Sequence, residues 1–450
     1  MSRIRIIITI IVVVLTTLLT GCTGKEPNEI AYVVALGIDS TDDDNYKITI
    51  QYANTTQISG GASESGGKAG SEIVDNVTIE APNIYAGVGL ANNIVSKSFS
   101  MSHAKLIVFS KEIAEKGVKD MIETLVRSEE IRPDVFIAVA NTTANDYLTS
   151  VNPEMEVNPA QYYQLIYQKN QLVGIPDGQL REFFTGLYTD NYDSILPVAG
   201  VIEGSGGNSQ NDDKGQSKDG QNEGSEGSSE SLDSFESKSS DDKDENEKEK
   251  DAEKNTSKYE YDIKNYVGGE TAIEKKNKAE AIGAAVFEKD KMVGELGEVE
   301  TEICKMLKGD YTYSYLTYYN NDTPDIPITV KTTQQKKPKY KIDTDKKTVD
   351  IELYIESDLY SLPADYNVEN KIEDFERDVA NYTSSACTEF INNFKKKYNS
   401  DILKLNEKVK YKFLTNNQYN WFKKNVGWSE YKFSVCTNFK VRRTGLIVRE

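Results

Sequence analysis

The sequence has very few of the residues that hold metal ions or build disulfide frameworks. Its 450 residues include a single histidine, His103, and only four cysteines. These residues form no cluster at the spacing that zinc ligands need. A structural zinc site and a disulfide-stapled scaffold are therefore excluded, and we expect no cofactor.

Positive charge is outnumbered by negative charge. The chain carries 53 Lys and Arg against 72 Asp and Glu, a net charge of −19. This balance argues against binding to nucleic acid, whose phosphates would repel the chain. Residues 204–258 alone hold 16 acidic residues against 8 lysines, a net charge of −8. Because this Gly- and Ser-rich stretch cannot bury enough apolar area to fold, we predict a disordered segment at about 204–260, either a solvated spacer or a functional acidic segment.

Catalytic signatures are missing as well. The sequence contains no GxSxG, HExxH, P-loop or Rossmann fingerprint, and no pair of carboxylates is marked out by its spacing. His103 precedes an apolar run, and we interpret it either as a satisfied, partly buried residue or as one with a specific interaction or pH role. Arg442 and Arg443 could contact anionic headgroups or a partner, or end a strand in solvent. We predict that the protein is not an enzyme.

The start of the chain has the pattern of a lipoprotein leader. After two arginines comes an apolar run, Ile6–Leu19, shorter than the ~20 residues of a membrane-spanning helix. The run ends in Leu19, Thr20, Gly21 and Cys22, which resemble the bacterial lipobox. We predict that residues 1–21 are removed and that Cys22 becomes the acylated first residue. An ordinary signal peptide or an uncleaved anchor are the alternatives.

The remaining cysteines are odd in number if Cys22 carries lipid, so at most one disulfide could form. Their sequence contexts are helical or strand-like and partly apolar, which predicts buried free thiols. These residues are Cys304, Cys387 and Cys436.

Hydrophobic periodicity predicts a mixture of strands and helices. Apolar and polar residues alternate over Tyr46–Tyr52, which with the apolar run Ile30–Ile38 predicts an antiparallel hairpin. Apolar residues spaced three and four apart predict helices over Glu112–Ser128 and Lys371–Tyr398. Val409–Leu414 is predicted as a strand, and Tyr431–Val435 and Phe439–Val448 as two closing strands.

Three blocks of the sequence together resemble one known family. The first is YVVALGID (Tyr32–Asp39) close behind Cys22, and the second is the long block Ser102–Pro133. The third is Ala284–Thr301, with the ending VRRTGLI over Val441–Ile447. The chain resembles the Ger(x)C family, the C-subunit lipoproteins of nutrient germinant receptors in spore-forming Gram-positive bacteria.

The resemblance implies an α+β fold of three mixed domains, each a mainly antiparallel sheet with packed helices, after the cleaved signal peptide. We place these domains at 22–197, at 198–335 with the acidic interruption, and at 336–450. A strand at 195–202 is expected to pair with 281–294 across the acidic segment.

The resemblance also implies a non-enzymatic subunit on the outer face of the cell membrane or the spore's inner membrane. Its partners would be the receptor A and B subunits and, through acylated Cys22, the lipid bilayer. The blocks around His103, Arg127 and Arg132 would serve the fold or subunit contact. The alternative is a lipid-anchored solute-binding protein of a transporter, although the expected strand–helix alternation of two doubly wound lobes is missing.

Overall fold

The computed structural model describes residues 3–9, 29–43, 45–53, 74–152, 156, 158–168, 174–189, 191–202, 265–271, 277–320, 323–361 and 371–444. The predicted lipobox and the acidic segment lie outside these ranges. Two β-sheets with packed helices make up the described chain, so the predicted α+β class is confirmed. None of the helices in these ranges combines the length and hydrophobicity that crossing a bilayer requires.

The first sheet contains nine of the described strands: β1 (Ile30–Ser40), β2 (Tyr46–Ala53), β3 (Val74–Ala81), β4 (Ser98–Ser100), β5 (Leu106–Ser110), β6 (Phe136–Ala140), β7 (Ile195–Val201), β8 (Ala279–Glu288) and β9 (Lys291–Leu296). Their order is β3-β2-β1-β5-β6-β7-β8-β9, with β4 paired to β1. The central strands β1, β5, β6 and β7 run parallel, and β2, β3, β8 and β9 pair antiparallel. β5 and β6 are buried along their whole length, as parallel strands covered on both faces are.

Helices cover both faces of this sheet: α1 (Ile84–Ala91), α2 (Lys111–Lys116), α3 (Lys119–Val126), α4 (Ala144–Ser150), α5 (Pro159–Gln168) and α6 (Leu180–Thr189). One core lies under α1, α2, α3 and α6, and the other under α4 and α5. The prediction of one helix over Glu112–Ser128 is wrong. Gly117 separates α2 from α3, because its φ of 123° lies outside the helical range and is accessible mainly to glycine.

β7 and β8 pair antiparallel, with Ile195 opposite Val286. The predicted pairing across the acidic segment is therefore confirmed. The first sheet thus holds strands from both sides of residue 197, and the division into domains near 197 and 335 stays a prediction.

The second sheet contains the other five described strands: β10 (Tyr313–Asn320), β11 (Thr323–Gln334), β12 (Lys339–Asp343), β13 (Thr348–Ser361) and β14 (Lys432–Arg443). β13 pairs with β12 and β11 along one edge and with β14, in parallel, along the other. Buried and less buried residues alternate along β13, as in a sheet with one covered face. The predicted break between two closing strands is wrong, because β14 runs without interruption from Lys432 to Arg443. The last four residues of the predicted second strand, 445–448, lie outside the described residues.

Four more of the described helices belong to this part of the chain: α7 (Glu298–Lys308), α8 (Ile372–Lys397), α9 (Leu405–Val409) and α10 (Asn416–Asn425). The chain passes from the first sheet to the second through α7, and α8, α9 and α10 lie between β13 and β14. The predicted helix over Lys371–Tyr398 is confirmed as α8 to within one residue at each end. The strand predicted at Val409–Leu414 is wrong, because Val409 ends α9 and a 3₁₀ turn follows it. Side chains of β8, α7, α8 and β13 share one core, which fixes the second sheet against the first.

Candidate functional site, a lysine-lined cleft

The residues singled out from the sequence do not converge on one site. His103 is exposed, which differs from the partly buried position expected; its Nδ1 lies 3.0 Å from Ser102 Oγ, and its ring contacts Tyr32 edge-on. Arg127 forms an ion pair with a glutamate one turn earlier, and Arg132 binds Asp134 through two nitrogen atoms. Each of these three side chains therefore contacts residues near it in the fold, and these contacts do not join the three to one another.

The other candidates are also separate from one another. Arg442 Nη1 lies 3.0 Å from Glu356 Oε2 at the end of β14. Cys304 and Cys387 are buried free thiols, as predicted, and burial raises their pKa values to about 11 and about 12. The prediction is wrong for Cys436, which is exposed. Within the described ranges, no three His, Cys, Asp or Glu side chains are grouped to hold a metal ion.

A cleft of about 800 Å³ lies where α8 and α10 end beside the turn between β8 and β9. This volume is in the range of small-molecule sites. Six lysines line the cleft against three carboxylic acids: Lys289, Lys395, Lys396, Lys397, Lys423, Lys424, Asp193, Glu288 and Asp401. In a chain of net charge −19, this local excess of positive charge marks a surface that can attract an anionic group.

Local sequence explains why lysines collect there. Lys395–Lys397 form the last turn of α8, and Lys423 and Lys424 the last turn of α10. Cations are favoured at these positions because the helix dipole places partial negative charge at the C-terminus. Lys395 is partly buried, and its Nζ donates to the carbonyl oxygen of Tyr431 at 2.7 Å. Burial, together with the next lysine's charge, lowers the pKa of Lys395.

Asp401 is the buried carboxyl group of the cleft. Its two side-chain oxygens accept hydrogen bonds from the backbone nitrogens of Leu405 and Asn406, each at 2.8 Å, and so cap the start of α9. Burial raises the pKa of Asp401 to about 7, although both hydrogen bonds and Lys408 oppose the shift. The cleft therefore becomes more positive when Asp401 takes up a proton below that pH.

Sequence reasoning missed the cleft and one further buried charge, Lys305 of α7. The Nζ of Lys305 donates to the carbonyl oxygen of Ile175 at 2.9 Å, and burial lowers its pKa to about 8. It lines a neighbouring pocket of about 350 Å³ with Asp177 and Lys404. The runs of lysine at Lys395–Lys397 and Lys423–Lys424 were the one available signal for the cleft.

Two family models match the chain on either side of the acidic segment. The model described as "Spore germination protein N-terminal domain" matches residues 24–201. The model described as "Spore germination B3/ GerAC like, C-terminal" matches residues 282–445. Together they cover most of the described strands of both sheets.

Curated relatives and a solved structure are similar to the chain. Spore germination protein KC of Bacillus subtilis (strain 168) is 26% identical over 176 residues, which are 36% of this chain and 43% of that protein. Spore germination protein GerQC of Bacillus cereus is 27% identical over 104 residues, 23% of this chain and 29% of that protein. The chain thus spans less than half the length of these relatives. The crystal structure of the GerBC protein superposes with a TM-score of 0.48 at 15% identity, covering 90% of this chain and 96% of that one.

Proposed function

Because the chain belongs to the family of GerAC-like spore germination proteins, we propose that it is a membrane-anchored lipoprotein subunit of a spore nutrient germinant receptor. It acts without catalysis, through contacts with the receptor A and B subunits, and allows nutrients to trigger germination. The observation that carries this proposal is the pair of family matches at residues 24–201 and 282–445. The GerAC-like C-terminal match includes the segments that line most of the lysine-lined cleft.

The proposed anchor is Cys22, acylated after removal of residues 1–21. The lipobox residues Leu19, Thr20 and Gly21 support this, and so does a family match that begins at residue 24, just after Cys22. Each buried CH₂ of an acyl chain contributes about 0.8 kcal/mol, so two or three chains hold a protein firmly to a bilayer. The folded body then lies on the outer face of the cell membrane or the spore's inner membrane.

A pull-down from detergent-solubilised spore inner membrane tests the proposal. An affinity tag inserted in the acidic segment at 204–258 avoids both sheets, and Cys22→Ala serves as the anchor variant. We expect the wild-type chain to recover two specific membrane subunits and the variant to leave the membrane fraction. Unchanged nutrient germination after deletion of the gene would contradict the receptor role.

A second candidate function is capture of a small anionic solute for a transporter, and the lysine-lined cleft is the observation that favours it. A ligand that binds only the native state must raise the melting temperature. Glutamate and inorganic phosphate are suitable probes, with Lys396→Gln/Lys424→Gln as the cleft variant. A melting shift that the variant loses would support this candidate over the receptor subunit.

A further inference from the structure

The two most exposed large apolar side chains among the described residues lie close together in the segment 410–425. Leu414 is 94% exposed and Tyr411 is 77% exposed, and Trp421 in the same segment is 64% exposed. Three large apolar side chains left exposed within one short segment favour an interaction surface there.

The local fold does not use Leu414. It occupies the residue before Thr415, which caps α10 in a reciprocal capping box with Gln418. A residue there often packs on the fourth helical residue, here Tyr419. In this protein Phe413 takes that place, with its ring 5.8 Å from the Tyr419 ring, and Leu414 points into solvent.

Trp421 lies on the outer face of α10. The buried side chains of this helix are Tyr419 and Phe422. At 100° per residue, Trp421 and Lys424 point away from those two and share the opposite face, three residues apart. An exposed indole beside an exposed ammonium group favours a surface that meets something outside the chain.

The charge of this segment indicates what it meets. Residues 408–429 contain no Asp or Glu, in a chain of net charge −19, and five lysines: Lys408, Lys410, Lys412, Lys423 and Lys424. Trp and Tyr favour the headgroup region of a bilayer, where an apolar ring and a polar tip are both accommodated. Lysines beside them are attracted to anionic lipids.

We propose that residues 410–425 dock on the surface of an anionic phospholipid bilayer. Leu414, Tyr411 and Trp421 insert at the headgroup level, and Lys410 and Lys424 pair with lipid phosphates. This contact goes beyond the receptor role and does not depend on acylation of Cys22. It adds a second attachment point in the C-terminal part of the chain, and one acyl chain combined with a basic patch is a known way to stable anchoring.

Vesicle co-sedimentation tests the proposal with a chain that lacks residues 1–21 and carries Cys22→Ala, so that no acyl anchor contributes. The vesicles are phosphatidylcholine alone, or equal parts of phosphatidylcholine and phosphatidylglycerol. We expect binding to the anionic vesicles only, and weaker binding at high salt. The Lys410→Gln/Lys424→Gln variant should bind about 30-fold more weakly, since each lysine near an anionic surface contributes about 1 kcal/mol.

The apolar part is tested with Leu414→Ser/Trp421→Ser, which should abolish sedimentation. Ile94→Ser is the matched control, because Ile94 is 69% exposed but lies outside residues 410–425, between α1 and β4. Lys119→Gln/Lys432→Gln is the charge control, with two exposed lysines outside the segment. Both controls should bind like the parent chain, and melting curves verify that every variant is folded.

Tryptophan emission adds a site-specific readout, since the chain has only two tryptophans. Anionic vesicles should shift the emission to shorter wavelength, and Trp421→Phe should remove the shift while keeping sedimentation. Absence of binding to anionic vesicles, or equal losses in the control variants, would overturn the proposal. Loss of membrane-subunit recovery by Leu414→Ser/Trp421→Ser, with vesicle binding intact, would assign the segment to a protein interface instead.

Discussion

Asp193 and Asp401 are joined by a reciprocal pair of hydrogen bonds. The backbone nitrogen of Asp401 donates to Asp193 Oδ2 at 2.8 Å, and the backbone nitrogen of Asp193 donates to the carbonyl oxygen of Asp401 at 3.2 Å. Lys404, in the same segment as Asp401, also forms an ion pair at 2.5 Å with Glu182 of α6. The loop before β7 and the segment after α8 are thus connected at the floor of the cleft.

Asp193→Ala should lower the free energy of unfolding by roughly 2 to 3 kcal/mol. The substitution removes the acceptor for the backbone nitrogens of Asp401 and Lys289. A hydrogen bond to a charged group contributes about 1.5 to 3 kcal/mol, and this loss comes mainly from the partly buried bond to Asp401, because the bond to Lys289 is exposed to water. Urea unfolding measures the change. Glu389→Ala, at an exposed position of α8, is the control and should have almost no effect; an equal loss in the control would refute the assignment.

The raised pKa of Asp401 makes stability depend on pH in a definite direction. The folded chain holds the Asp401 proton up to about pH 7, whereas the unfolded chain releases it near the ordinary value of 3.8. The folded state therefore binds more protons between these values, and its stability falls as pH rises from 4 to 7, by up to roughly 4 kcal/mol from this group. Asp401→Asn should flatten that slope in unfolding curves measured from pH 4 to pH 8. A slope as steep as that of the wild type would show that other groups cause it.

Two glycines should respond in opposite ways to alanine. A Cβ at Gly200 would lie 2.0 Å from the backbone of Gly268 and Gly269, so Gly200→Ala must push two chain segments apart. Overpacking of this kind costs about 1 to 3 kcal/mol. A Cβ at Gly89, in the exposed face of α1, meets nothing within 4 Å. Gly89→Ala should raise stability by up to about 1 kcal/mol, because alanine is the better helix former.

The long helix α8 could be predicted from the sequence, whereas the segment after it could not. An apolar stripe over seven turns leaves one solution, so the ends of α8 were predicted to within one residue. Val409, Tyr411 and Phe413 alternate like a strand, but Asp401 caps α9 from outside that window, Val409 is the last residue of α9, and a 3₁₀ turn follows it. Short apolar runs carry too little periodicity to decide between the two.

The cleft could not be predicted because its lysines come from three distant stretches of the chain. Lys289 belongs to the turn after β8, and the other five lysines end α8 and α10. Lysine is favoured in each stretch by its local structure, which is a turn for Lys289 and a helix C-terminus for the other five. Only the core shared by β8, α7, α8 and β13 brings these stretches together, and no local pattern records such an arrangement.

Lys305 should produce a second pH dependence, opposite in sign to that of Asp401. Burial lowers the pKa of Lys305 from 10.5 to about 8, so between these values the folded chain binds fewer protons than the unfolded chain. Stability should therefore rise as pH increases from 8 to 10.5, because the cost of a buried ammonium group disappears when it loses its proton. Lys305→Met keeps most of the aliphatic side chain and removes the titrating group. The unfolding free energy of the wild type should therefore rise more from pH 8 to pH 10.5 than that of the variant. Lys341→Met, at an exposed position of β12, is the control. Parallel pH profiles for wild type and Lys305→Met would mean that Lys305 stays charged in the folded chain.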